Sequence, residues 1–297
     1  MNLNNYKDPA SWIGYRDHDK SVEYNYRDVV LYAVSVGAGK DELQYVWEKS
    51  DDFQAIPTFA VEPSFCGYHQ PRSWTLNHPS MLVQESLGNA EGMDFSQEFF
   101  LYRPFDPLKG TFIWHNEINR IYDRGPGKGI LCAVDQPIYD EACRPVGKLV
   151  STTVVFAGGG FGGEKPPKPV SAIPDRAPDY VKDEWIPEMN QVIYGAATGT
   201  SIPVHSDKAY CQSIGMKDVV IHGQVVFGYA ARMAIEGFIP GEGFRMTHMF
   251  TSIRNPTYPN SHIRFEGWKI AEGTVAFRLI DTDTDRQLLT NGIFEYK

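Results

Sequence analysis

Apolar residues recur along this chain with two periods. Over residues 26–36 they fall three and four apart, with Val29, Val30, Ala33 and Val34 on one side, which predicts an amphipathic helix. Gly37 and Gly39 stop it. A second short helix is expected over 41–47, and strands over 99–103, 110–121, 129–134 and 147–156. In the second half, residues 191–196 read equally as helix or strand, and 207–214 as a short helix. Residues 223–235 give the best helix of the chain, with Val226, Tyr229, Ala230 and Met233 on its stripe. Four strands are then expected, over 247–254, 262–271, 274–282 and 288–296. One long helix followed by an antiparallel run is an α+β pattern, whose natural packing is a curved sheet wrapped around the helix.

Residues 157–169 hold five glycines and three prolines, which neither a helix nor a central strand tolerates. They divide the chain into 1–157, a linker over 158–170, and 171–297, two parts of ordinary domain size. The order of elements is similar in both parts, with no strong repeat by identity.

Composition narrows the classes of function. The chain has 297 residues, 42% hydrophobic and 22% charged, which is globular, and its net charge of −9 disfavours nucleic acid or an anionic membrane as partner. Cys66, Cys132, Cys143 and Cys211 form no CxxC pair and are expected to be reduced, buried thiols. No run approaches the ~18 apolar residues of a membrane span, and the final residues are not a peroxisomal signal of the Ser-Lys-Leu type. A cytoplasmic location is expected, with the peroxisome left open.

Three segments are candidates for chemistry. Gly158-Gly-Gly-Phe-Gly-Gly163 matches G-x-G-x-x-G, but Glu-Lys-Pro-Pro follows where a dinucleotide site needs a helix, so the linker reading wins. Tyr194-Gly-Ala-Ala-Thr-Gly-Thr-Ser-Ile-Pro-Val-His205 ends in a histidine. Asp207 beyond it is expected to cap a helix. His222-Gly223 opens the long helix, whose first N–H groups lack intrahelical acceptors and carry the positive end of its dipole. One imidazole and one set of backbone donors would then converge, as proton transfer beside a carbonyl requires. No histidine trio has metal-ligand spacing, and neither metal nor cofactor is expected.

The 194–205 segment resembles the hydratase-2 signature of the MaoC-like family, and residues 220–232 resemble that family's helix opening. Residues 24–39, 52–59, 159–163 and 172–179 resemble blocks of the eukaryotic (R)-specific 2-enoyl-CoA hydratases, in the right order, and Pro256-Thr-Tyr-Pro259 echoes a further family turn. The resemblance implies a double hotdog, usually paired as a homodimer, acting on a CoA- or carrier-linked acyl substrate. It implies that the second half carries the catalytic loop while the first widens the acyl pocket. In the family, a loop Asp and His hold the water that is added to or removed from a 2-enoyl thioester. Here the His is His205 and the helix-start glycine is Gly223, but Thr200 stands at the Asp and Ile202 at the Asn. A Thr hydroxyl does not ionise near neutral pH and an Ile side chain cannot hydrogen-bond.

The expected site is therefore His205 as acid or base, Gly223 as oxyanion donor, Thr200 positioning water or a substrate oxygen, and Tyr194 as the nearest substitute for the missing Asp. Ile202, His222 and Gln224 are expected to contact substrate. Three functions are compatible: a hydratase or dehydratase for an acyl-thioester or polyketide-like substrate, a cyclase or isomerase of specialised metabolism that uses no water, and an inactive acyl-binding homologue.

Overall fold

The computed structural model describes residues 7–63, 78–168, 170–199 and 202–297. Strand β1 (Lys20–Asn25) leads into α1 (Tyr26–Ser35), which opens on a reciprocal cap: the Asn25 side chain accepts from Arg27 N–H, and Asp28 accepts from Asn25 N–H. Then come α2 (Leu43–Val46), α3 (Pro79–Ser86), β2 (Gly92–Leu101), β3 (Lys109–Trp114), β4 (Glu117–Asp123), β5 (Ile130–Tyr139) and β6 (Pro145–Val155). The second half runs β7 (Tyr180–Trp185), α4 (Glu188–Thr198), α5 (Lys208–Ser213), α6 (Gly223–Phe238), β8 (Met246–Ile253), β9 (His262–Ala271), β10 (Thr274–Asp281) and β11 (Arg286–Tyr296).

One antiparallel sheet runs through both halves in the order β1-β3-β5-β6-β2-β8-β11-β10-β9-β7, with β4 paired to β5 off that path. The halves meet where β2 pairs β8, from Ser96 opposite Ser252 to Phe100 opposite His248. Helix α6 is buried on every side from Val225 to Ile235 and so lies in the core instead of on its surface. At Gly228 it presses against the end of α1: a Cβ there would lie 2.4 Å from Val36 Cγ1. Arg232, buried on the same helix, donates to Val36 O at 3.0 Å and to Glu42, and pairs with Glu184, tying α6 to both halves.

Several expectations are corrected. The single strand expected over 110–121 is two, because Asn116 N–H donates to Asp17 Oδ1 and the chain turns from β1 toward β5. Strand β2 begins at Gly92, seven residues before the expected start, Phe99. Residues 191–196 are helical within α4, and β1, α3 and β7 were not anticipated. Cys143 is exposed at a turn with φ 57°, whereas Cys132 and Cys211 are buried, and Cys66 lies outside the described residues.

The glycine-rich segment folds around a carboxylate. Asp123 accepts backbone N–H bonds from Gly125, Gly160 and Gly162 at 2.7, 2.7 and 2.8 Å, which together hold its pKa below the ordinary value. Gly160 and Gly162 have φ of +92° and +86°, so these positions need glycine. Residues 163–168 carry no regular structure, and no helix follows as a dinucleotide fold requires. Among the described residues no helix is long and apolar enough to cross a membrane.

Candidate active site

A cavity of about 660 Å³ opens at the junction of the halves, lined from the second half by Tyr194, Ile202, His205, His222, Gly223 and Gln224. Six of the seven expected site residues thus meet in one space. Thr200 lies outside the described residues.

His205 ends a short turn, Pro203–His205, whose proline favours the tight entry. Its Nδ1 lies 2.7 Å from Val220 O, an acceptor, so Nδ1 carries the proton and Nε2 keeps its lone pair. Burial pushes the imidazole below its usual pKa, against the opposing pull of that hydrogen bond. His205 is therefore a free base at neutral pH.

His222 stacks on His205 with ring centres 3.7 Å apart. Gln191 of α4 fixes it from two sides: its Oε1 accepts His222 N–H at 3.0 Å, and its Nε2 lies 2.7 Å from His222 Nδ1. The amide orientation makes Nδ1 an acceptor, which places the His222 proton on Nε2. That Nε2 is buried without a hydrogen-bond partner among the described residues. Burial, then the charge of a protonated His205, drives the His222 pKa well below normal.

Gly223 begins α6, and neither its N–H nor that of Gln224 finds an acceptor among the described residues. Gln224 Nε2 reaches Gln97 Oε1 of β2 at 3.4 Å, while its Oε1 is buried without a partner among the described residues. Tyr194 is not placed to stand in for an ionised carboxylate. Its hydroxyl donates to Glu62 at 3.1 Å, and burial, followed by the Glu62 charge, holds its pKa well above normal, so it keeps its proton. Asp207 caps α5 by accepting Tyr210 N–H, as expected.

One carboxylate at this site was missed by sequence reasoning. A Cβ on Gly223 would lie 2.7 Å from Asp94 Oδ2, on β2 of the first half, and 3.4 Å from Ile253 Cδ1. The Asp94 side chain is open to the cavity but ringed by protein, and this enclosure raises its pKa above the ordinary carboxylate value. No sequence signal marked it, since β2 was expected to start after it. Gln191 was missed because its segment had no assigned fold.

A helix wrapped by antiparallel strands, twice in one chain and joined edge to edge, defines a double hotdog. Residues 22–157 match the MFE-2 hydratase 2 N-terminal domain and residues 169–291 match the MaoC like domain, so the chain belongs to the MaoC-like, hydratase-2 family of hydratases and dehydratases. It is 29% identical to a probable enoyl-CoA hydratase 2 of Dictyostelium discoideum over 92% of each chain. It is 30% identical to 3-hydroxyacyl-thioester dehydratase Y of Mycobacterium tuberculosis, covering 97% of this chain and 98% of the other. A MaoC-like dehydratase from Phytophthora capsici superposes with a TM-score of 0.79 over 97% of this chain and 98% of its own, at 24% identity.

Proposed function

We propose that the protein is a hydratase or dehydratase interconverting a 2-enoyl thioester and its 3-hydroxyacyl form. The observation that carries the reading is His205, held in one tautomer by Val220 O and facing the same cavity as the open N-terminus of α6. In the dehydration direction, His205 Nε2 takes the proton from the carbon next to the thioester. Charge then builds on the thioester oxygen, where Gly223 N–H and His222 Nε2–H are the donors at hand. A preorganised donor of this kind is worth roughly 10²–10³ in rate. Thr200, in the sequence position of the family's Asp, supplies a hydroxyl that holds water or substrate oxygen without ionising.

The acyl chain we assign to the site is an oxygenated, polyketide-like one. The first half adds Gln97, Asn116, Gln136, Ser151 and Thr153 to a cavity whose other lining, Val61, Met93, Trp114 and Leu149 among it, is apolar, a mixture that suits an acyl chain bearing oxygen. Asn116 Oδ1 and Gln224 Oε1 are buried there without a partner among the described residues, and an unmade buried hydrogen bond costs about 1–3 kcal/mol. Hydroxyl groups on the substrate would satisfy them.

Steady-state turnover of enoyl-CoA and 3-hydroxyacyl-CoA thioesters, with plain and with oxygenated chains, tests the function. His205→Ala is expected to abolish it. A wild-type enzyme inert to every member, or a His205→Ala variant at full rate, contradicts the reading.

A further inference from the structure

Water addition or loss beside a thioester moves two protons, one at carbon and one at oxygen, and a positioned acid or base is worth roughly 10²–10⁴ at each. His205 can serve one. The loop offers Thr200 for the other, whose hydroxyl does not ionise near neutral pH. A second group must come from elsewhere in the cavity wall.

Strand β2 delivers one by a local irregularity. In its pairing with β6, Asp94 faces Thr153 and Ser96 faces Thr152, so Phe95 is an extra residue on β2. Without this bulge Asp94 and Gln97, three apart, would point to opposite faces of the sheet. With it, Asp94 shares the face of Thr153 while Gln97 shares that of Ser151, and all four line the cavity. Bulges commonly re-aim a side chain beside a site. The side chain so turned ends against Gly223, at the mouth of α6.

We propose that Asp94, brought across from the first half by the β2 bulge, is the second proton-transfer residue of this site and replaces the carboxylate that the Thr200 loop lacks. The proposal rests on the hydratase/dehydratase reading. In dehydration the C–H electron pair at the carbon next to the thioester becomes the new C=C bond as His205 takes the proton. The C–O bond at the next carbon breaks, its electron pair stays on oxygen, and Asp94 gives that oxygen its proton, so water leaves. His205 then returns its proton through solvent to the Asp94 carboxylate, and hydration is the reverse. Desolvation moves the Asp94 carboxyl upward and the His205 imidazole downward, the directions an acid and a base each need. The other charged or titratable groups on the cavity are Lys20, Glu62, His78, Glu91, Tyr194, Tyr210, His222 and Arg254, besides His205; among the described residues none is bonded to Asp94.

The test is Asp94→Asn and Asp94→Glu in the full-length chain, assayed for dehydration of 3-hydroxyacyl-CoA thioesters with plain and oxo-bearing chains, beside His205→Ala and a doubled Asp94→Asn/Thr200→Asp variant. Asp94→Asn is expected to lose about 10²–10⁴-fold in kcat with thermal stability kept. The alkaline limb of the pH profile should vanish, since it reports ionisation of the acid. Asp94→Glu should keep part of the rate and the limb, and Thr200→Asp should recover activity in the Asn background. If Asp94→Asn keeps its rate within about threefold while His205→Ala is dead, the Asp94 role falls and the hydratase reading stands. If the rate drops but the alkaline limb stays, Asp94 is structural and the proposal is overturned. A wild-type enzyme that turns over none of the thioesters removes both.

Discussion

Replacing Gly223 by alanine separates packing from chemistry at the start of α6. Alanine is the better helix former by about 0.5–1 kcal/mol, so the helix itself gains. The added Cβ would lie 2.7 Å from Asp94 Oδ2 but at an acceptable 3.4 Å from Ile253 Cδ1. The oxygen sits at the end of a rotatable side chain, so the carboxyl retreats, on the order of 0.5–1 Å, and the helix stays. A displacement of about 1 Å at a reacting group costs roughly 10²-fold, or about 2.7 kcal/mol of transition-state stabilisation. Gly223→Ala is therefore expected to melt at or near the wild-type temperature while kcat/KM for enoyl or 3-hydroxyacyl thioesters falls about 10²-fold. Initial rates and thermal melts on the same preparations decide it. An unchanged rate would refute the placement of the reacting centre at this helix end. A melting temperature lower by more than about 5 °C would show that glycine serves packing alone.

Further outcomes follow from the same geometry. The acid limb of kcat/KM should lie below about 6.5, because burial depresses the His205 pKa; a limb centred above that value contradicts the assignment. Folding stability should fall on acidification for a related reason. His205, His222 and His78, the last lowered to about 4, stay neutral in the fold while the unfolded chain gains protons below about 6.5. Their contribution is complete above that pH and is lost as pH falls toward 4; His78 alone accounts for about 3 kcal/mol, measurable by urea titration at both ends of the window. Arg232→Met strands Glu42 and Glu184 and should cost about 3–5 kcal/mol by the same titration; a loss below about 1 would contradict the packing described. Gln97→Leu should shift preference toward plain alkyl chains by about tenfold in the ratio of kcat/KM values, and an unchanged ratio removes the polar-wall argument.

The chain made α1, α6 and the late strands legible because their periodicity was long, whereas α3 and α4 were not read as helices. Residues 262–271 are a strand from end to end, and α6 begins at the expected Gly223. The site was legible where chemistry is local: His205, His222 and Gly223 lie within two short segments. What escaped was set by pairing. The role of Asp94 depends on one extra residue in β2 and on a strand start that polar residues hid, and a bulge leaves no periodic mark. Tyr194 looked like a substitute acid until its hydrogen bond to Glu62 showed where its proton goes. The polar wall is spread over β2, β5, β6 and the turn at Asn116, positions that only the folded sheet brings together.

The ladder between β2 and β8 holds the two hotdogs together independently of the glycine-rich strap that carries the chain between them. Scission of that strap therefore leaves the seam intact, and the halves expressed as separate polypeptides should complement one another. Since Asp94 travels with one fragment and His205 with the other, each alone would be silent, and turnover would report their reunion.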